Sequence, residues 1–158
     1  MGLDQYLTAH KLICGYTRHS EAGEREAYLK LLESVGLQES DVSLDTPHLS
    51  VEVTVAYWRK AHTVHEWFVS NVQDGVDDCR SSYVSREFLE FALAHCQKVL
   101  KAEKPGSVIS TEKDDYSIET IIGAGIYLTE FVMTKAKLAA VLNNPKFKGW
   151  NFEYRASW

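Results

Sequence analysis

The feature that most constrains the fold is an alternating segment that leads directly into a helical one. Residues 50–57, Ser-Val-Glu-Val-Thr-Val-Ala-Tyr, place valines at every second position. This period predicts a strand with a half-buried face, because β-branched side chains pack well on a pleated surface. Over residues 58–72 the apolar side chains follow the helical period instead. A chain that passes from strand to helix without a long loop favours a fold in which α and β elements are mixed.

The rest of the chain repeats these two kinds of pattern. Strands are predicted at residues 3–14, 50–57 and 150–157, and helices at residues 20–35, 58–72, 85–101 and 116–142. Ser85 stands where a helix N-cap is expected. We therefore predict an α+β fold that forms a single domain over residues 1–158, with about three strands in one sheet and about four helices. The pattern leaves the strand order open.

Composition excludes several classes of protein. A net charge of −5 argues against a binder of nucleic-acid duplexes, which needs clustered Lys and Arg. No run reaches the roughly 18 apolar residues of a membrane span, and Asp4 stands where a secretory signal carries positive charge. Cys14, Cys79 and Cys96 are odd in number and widely spaced, which indicates a reducing compartment. We expect a cytoplasmic protein that binds no membrane, and its oligomeric state stays open.

Residues 56–79 concentrate the side chains that carry chemistry. His62 and His65 have the i, i+3 spacing of two metal ligands, but His65 falls inside the apolar arc of the predicted helix and His62 beyond its edge. We therefore predict no metal site, and Mg²⁺ bound by Asp77 or Asp78 is the one cofactor that stays open. A partly buried histidine suits proton transfer near neutral pH, so His65 is the candidate catalytic residue.

The junction between the strand and the helix is the candidate binding site. Arg59 and Lys60, together with free N–H groups at a helix start, would form a cradle for an anion, and Trp58 would add an aromatic plane. The alternative is that Arg59 faces solvent and pairs with Glu52 or Glu66. The predicted ligand-binding residues are Trp58, Arg59, Lys60, His65, Asp77, Asp78 and Tyr83. Trp158 is expected either to seal the core or to close over a pocket.

Several short motifs are spread over nearly the whole chain. They are MGLDQYL at the start, AYWRK at 56–60, WFV at 67–69, DGVDDC at 74–79, YVSRE at 83–87 and the closing W-x-F-x-Y-x-x-S-W. Together they resemble a family of small proteins encoded by bacteriophages and prophages, in which Asn is more frequent at the position of His62. The resemblance implies a phage-encoded accessory protein that acts in the cytoplasm of the bacterial host. It carries over no activity and no catalytic residue.

Three functional hypotheses follow. The first is an accessory protein for counter-defence or host takeover that binds a small anionic ligand, for example a nucleotide-like signal. The second is a small hydrolase or transferase that uses His65 as general base, with Asp77 or Asp78 holding substrate or Mg²⁺. The third is an inhibitor that binds a host protein and needs no pocket.

Overall fold

The structure is a computed structural model that describes residues 2–16, 23–42, 47–102, 107–113, 116–121 and 126–158. Its strands are β1 (Asp4–Cys14), β2 (His48–Arg59), β3 (Ser82–Val84), β4 (Val108–Lys113), β5 (Tyr116–Ile121) and β6 (Asn151–Ser157). Its helices are α1 (Glu24–Ser34), α2 (His62–Val72), α3 (Arg86–Lys101) and α4 (Ile126–Leu142). None of these helices is long and apolar enough to cross a membrane. The predicted α+β class is confirmed.

The strands form two sheets. The larger has the order β2-β1-β6-β3, and the smaller pairs β4 with β5. Strand β3 runs antiparallel to β6, with Ser82 opposite Tyr154 and Val84 opposite Phe152. This order places the first and last strands of the chain side by side. Side chains that are far apart in sequence therefore reach the same face of one sheet.

The described chain divides into two compact units, Met1–Ala9 with Thr54–Trp158 and His10–Val53. The single domain expected over residues 1–158 stays a prediction. Within the smaller unit, α1 buries Tyr28. The Arg25 guanidinium joins two of its segments, because it donates to the carbonyl of Gly15 and lies 2.7 Å from a carboxylate oxygen of Glu39.

The core of the larger unit is rich in aromatic side chains. The ring of Phe68 on α2 stacks face to face on Tyr154 of β6, with centroids 4.0 Å apart and planes inclined by 7°. Phe88 on α3 meets Phe68 edge-on at 5.3 Å. Offset and edge-on ring pairs are the favoured arrangements of aromatic quadrupoles. The stack fixes α2 over the middle of β6, and this contact positions the site described below.

Local signals correctly placed the elements with strong capping or alternation. Helix α3 begins at Arg86, and the Phe88 N–H donates to Ser85 Oγ at 3.1 Å, so the predicted N-cap is confirmed. Strands β1 and β6 match the predictions over residues 3–14 and 150–157 to within one residue at each end. The first helix, predicted from residue 20, is present as α1, although residues 20–22 lie outside the described chain.

The predicted helix over residues 58–72 begins too early. Strand β2 continues to Arg59, and α2 begins at His62. The alternation simply persists for two more residues, with Ala56 and Trp58 on the buried side and Tyr57 exposed. Lys60 then takes a positive φ of 56°, a conformation that belongs to neither element and ends the strand.

The predicted helix over residues 116–142 is wrong at its start. Residues Tyr116–Ile121 form strand β5, residues 122–125 lie outside the described chain, and α4 begins at Ile126. The sequence Tyr-Ser-Ile-Glu-Thr-Ile fits a helical stripe, but it also alternates, and its β-branched residues favour a strand. Pairing with β4, from Val108 opposite Ile121 to Lys113 opposite Tyr116, decides between the two. Strands β3 and β4 were not predicted.

A buried histidine on α3 makes stability depend on pH. His95 is almost completely buried, and its ring meets Trp67 edge-on at 4.6 Å. Burial, with a smaller contribution from Lys98, lowers the pKa of His95 to about 4. Between pH 4 and 6.5 the unfolded chain therefore binds more protons at this residue than the folded chain, so stability falls as the pH falls.

We expect His95 to contribute up to about 3 kcal/mol of unfolding free energy above pH 6.5 that is lost on acidification toward pH 4. Urea unfolding of the wild type and of His95→Leu at several pH values measures this contribution as the difference between their pH slopes. His62→Gln, which changes an exposed histidine, serves as the control and should keep the wild-type slope. An unchanged slope in His95→Leu would contradict the prediction.

Candidate functional site

The His65 side chain is the centre of a polar cluster inside the larger unit. His65 lies on the buried face of α2 and is only 7% exposed. The cluster, called the His65 site below, consists of Gln5 on β1, His65 on α2, Asp77 in the loop after α2, Tyr154 on β6 and Trp158 just after β6. Helical periodicity turns His65 toward the sheet, and alternation along β6 turns Tyr154 toward the helix.

On one side, the imidazole belongs to a continuous chain of hydrogen bonds. His65 Nδ1 lies 2.7 Å from Tyr154 Oη, and that hydroxyl donates to Gln5 Oε1 at 3.2 Å. Gln5 Nε2 in turn donates to the carbonyl of Ala61 at 3.1 Å. The same carbonyl accepts the backbone N–H of His65 at 3.0 Å.

The orientation of Gln5 fixes the direction of these bonds. Only the NH₂ group of an amide can donate to a carbonyl, so the contact with Ala61 turns Oε1 of Gln5 toward Tyr154. The Tyr154 hydroxyl then donates its hydrogen bond to Gln5, so the hydroxyl oxygen accepts a hydrogen bond from the N–H at His65 Nδ1. His65 therefore carries hydrogen on Nδ1.

The other ring nitrogen faces a carboxylate without a directional bond. His65 Nε2 is buried and lies 3.0 Å from Asp77 Oδ1, but the atoms are not aligned for a hydrogen bond. Asp77 is therefore a close neighbour of Nε2 and not its hydrogen-bond partner. Oxygen atoms of Tyr154 and Asp77 therefore lie within 3.0 Å of the two ring nitrogens. The Asp77 side chain is itself 46% exposed.

Tyr154 acts as a fixed, neutral hydrogen-bonding group. It is completely buried, and burial raises the pKa of its phenol far above the ordinary value, with a further rise from the charge of Asp77. A phenol of this kind stays protonated at physiological pH and has no access to solvent. It can orient His65, but it is poorly suited to serve as a nucleophile.

The structure separates Trp58 from the ligand site predicted around it. The indole is buried, and its Nε1 donates to Thr134 Oγ1 of α4 at 2.9 Å. The Lys137 ammonium lies 5.5 Å from the centre of its ring and bonds to the carbonyl of Tyr57. Burial lowers the pKa of Lys137. Trp58 thus belongs to the core between β2 and α4, where its face is already covered.

The anion cradle expected at the start of α2 contains a carboxylate of the protein itself. Arg59 and Lys60 are exposed. The N–H of Thr63, in the first turn of α2, donates to Glu130 Oε2 at 3.1 Å, and Glu130 is buried. A carboxylate in this position satisfies one of the free N–H groups of the helix and complements its dipole.

Asp78 and Tyr83 are engaged elsewhere than at His65. The backbone N–H of Arg80 donates to Asp78 Oδ1 at 3.2 Å, so this carboxylate stabilises the loop. Tyr83 pairs with Glu153 while the neighbouring Ser82 pairs with Tyr154, so its side chain is on the opposite face of the sheet from Tyr154. Of the predicted ligand-binding residues, the structure brings together His65 and Asp77.

Sequence reasoning missed Gln5 and Tyr154 as partners of His65. A signal for Gln5 was present, because it stands between Leu3 and Leu7 on the face of β1 that proves to be buried. A polar residue at such a position needs a hydrogen-bond partner. Nothing local to β6 indicated that Tyr154 would meet a histidine.

No metal centre is formed within the described ranges. There, no three His, Cys, Asp or Glu side chains are grouped so that they could hold an ion. His62 is exposed and His65 buried, so the two are not presented to a common ligand. Mg²⁺ at Asp77 or Asp78 stays an untested prediction.

No family model, curated protein or solved structure matches this chain. The resemblance to bacteriophage proteins therefore stays a prediction. The geometry of the His65 site is what remains to support an argument about function.

Tyr154→Phe tests whether the hydrogen-bond chain exists in solution. Removal of the hydroxyl leaves Gln5 Oε1 and His65 Nδ1 buried without their partner, so we expect a loss of about 1–3 kcal/mol of unfolding free energy. Tyr57→Phe is the matched control, since the Tyr57 hydroxyl bonds to Asp4 at an exposed position, and should cost less than about 0.5 kcal/mol. Equal losses in the two variants, measured by urea unfolding, would refute the chain.

Proposed function

We propose that this chain is a phage-encoded accessory protein that binds a small anionic ligand at the His65 site. One observation carries the proposal: the buried Nε2 of His65 lies 3.0 Å from the half-exposed carboxylate of Asp77 and makes no aligned hydrogen bond. A nitrogen held in this way stays available to a better-placed anion. The phage origin rests on the motif resemblance alone.

Asp77 is suited to act as a replaceable counter-ion. Its neighbours in the loop are engaged with Arg80, whose guanidinium lies 3.7 Å from carboxylate oxygens of both Asp74 and Asp78. Asp77 instead turns toward His65 from a loop in which Asp74 and Cys79 both have positive φ, at 55° and 62°. An exposed carboxylate that leaves this contact regains full hydration, so its displacement costs little.

The geometry supports anion binding better than catalysis. A general base needs a ring nitrogen whose lone pair is directed at the substrate, whereas His65 Nδ1 is bonded to Tyr154 and Nε2 is buried beside the carboxylate of Asp77. The buried phenol of Tyr154 is not a nucleophile that a substrate could reach. The hydrolase or transferase hypothesis and the host-inhibitor hypothesis stay untested predictions.

A first experiment compares His65→Gln with His62→Gln. The two histidines lie one turn apart on α2, and His65 is buried whereas His62 is exposed. Comparison of the two variants therefore distinguishes an effect at the His65 site from an effect at the helix surface. Inorganic phosphate and a panel of nucleotides are added to each protein, and thermal unfolding and calorimetric titration are recorded. At 100 times its Kd a ligand should stabilise the wild type and His62→Gln by about 2.7 kcal/mol.

His65→Gln should lose that stabilisation while keeping the circular dichroism spectrum of the folded protein. No stabilisation of the wild type by any anion would refute the proposed function. Equal binding by His65→Gln would refute the location of the site.

A second experiment compares Asp77→Asn with Asp78→Asn. If Asp77 competes with the ligand for His65 Nε2, Asp77→Asn should strengthen anion binding by about twofold to fivefold, because a partly exposed contact of this kind contributes up to about 1 kcal/mol. Asp78→Asn, which changes the adjacent carboxylate bonded to Arg80, should leave the Kd unchanged. Weaker binding by Asp77→Asn would mean that Asp77 itself holds the ligand and would contradict its role as counter-ion.

A further inference from the structure

We infer that the ligand of the His65 site joins its anionic group to a flat aromatic ring and that this ring lies against Trp158. The inference rests on the proposed function and specifies the class of ligand.

Trp158 follows the alternation of β6 but is not buried like the rest of that face. Phe152, Tyr154 and Ala156 are at most 1% exposed, whereas Trp158 is 49% exposed. The centroid of its indole ring lies 5.8 Å from the centroid of the His65 imidazole, and the two ring planes are inclined by 61°. The indole therefore contacts the buried histidine and also presents a large part of its surface to solvent.

An exposed indole beside the proposed anion-binding imidazole is a combination of surfaces with a defined chemistry. Under the proposed function Nε2 binds the anionic group, and the indole favours a planar π system, with which stacking is worth about 1–3 kcal/mol. A bare inorganic anion would contact Nε2 of His65 and leave the indole of Trp158 in water. Val76, directly before the counter-ion Asp77, is also exposed, so the loop adds apolar surface next to its charge.

The hydrogen bonds of the imidazole limit the anionic part of the ligand to one group. Gln5 and Tyr154 occupy the Nδ1 side completely, so the incoming anion meets Nε2 alone. A ligand with one carboxylate or one phosphate on an aromatic framework matches this arrangement. Nucleoside monophosphates and aryl phosphates share that chemistry, and matched probes distinguish them.

The primary test uses phenyl phosphate and methyl phosphate, which carry the same anionic group and differ in the ring. Calorimetric titration of the wild type should give a Kd for phenyl phosphate about tenfold lower than for methyl phosphate. Trp158→Leu should abolish this difference and leave the Kd for methyl phosphate within about twofold of the wild-type value. Trp158→Phe, which restores a ring, should recover most of the difference.

Trp150→Leu is the matched control, since Trp150 lies just before β6 and packs edge-on against Phe147 at 5.6 Å, and it should keep the full preference for phenyl phosphate. Adenosine monophosphate against ribose 5-phosphate then tests whether a nucleobase serves as the ring. If the ring lowers the Kd in the phenyl phosphate pair but not in the adenosine monophosphate pair, the ligand is an aryl compound and not a nucleotide.

The outcomes separate this inference from the proposed function. If both phosphates bind equally in the wild type and both are lost in His65→Gln, the proposed function stands and the inference is overturned. If Trp158→Leu weakens both phosphates to the same extent, Trp158 only covers His65 and the inference is overturned as well. If none of the four compounds binds to the wild type, both the proposed function and this inference are overturned.

Discussion

The stack of Phe68 on Tyr154 is the contact on which the His65 site depends. It joins α2 to β6 at a centroid distance of 4.0 Å, although more than half of the length of the chain separates the two residues. Phe68 and His65 lie one helical turn apart, so the stack brings the imidazole to the tyrosine hydroxyl. The polar chain thus takes its geometry from apolar packing, and a change in the core would move the site.

The sequence predicted those parts of the fold whose signals are local. Strand β6 alternates strictly and Ser85 caps α3, so both were placed within one residue. Residues 116–121 were misassigned because their apolar positions fit both periods, and only pairing with β4 makes them a strand. The three-residue β3 is too short to give a period and takes its conformation from β6.

The candidate site could be predicted only where its signals are local. His65 on an apolar helical face signalled a buried histidine, but the partners Gln5 and Tyr154 depend on the strand order, which no local pattern encodes. The cradle at Arg59 and Lys60 was inferred from adjacency in sequence. Glu130 accepts the N–H of Thr63 at the start of α2, and because Glu130 lies on α4 this contact depends on the tertiary structure.

The bonds around His65 close into a ring. They run from its imidazole through Tyr154 and Gln5 to the carbonyl of Ala61, which also receives the backbone N–H of His65 itself. The imidazole cannot rotate without breaking its bond to Tyr154, and Gln5 connects that hydroxyl to the carbonyl of Ala61 at the start of the helix. The conformational entropy of this side chain is therefore lost when the protein folds, so the proposed anion would meet an imidazole whose orientation is already fixed.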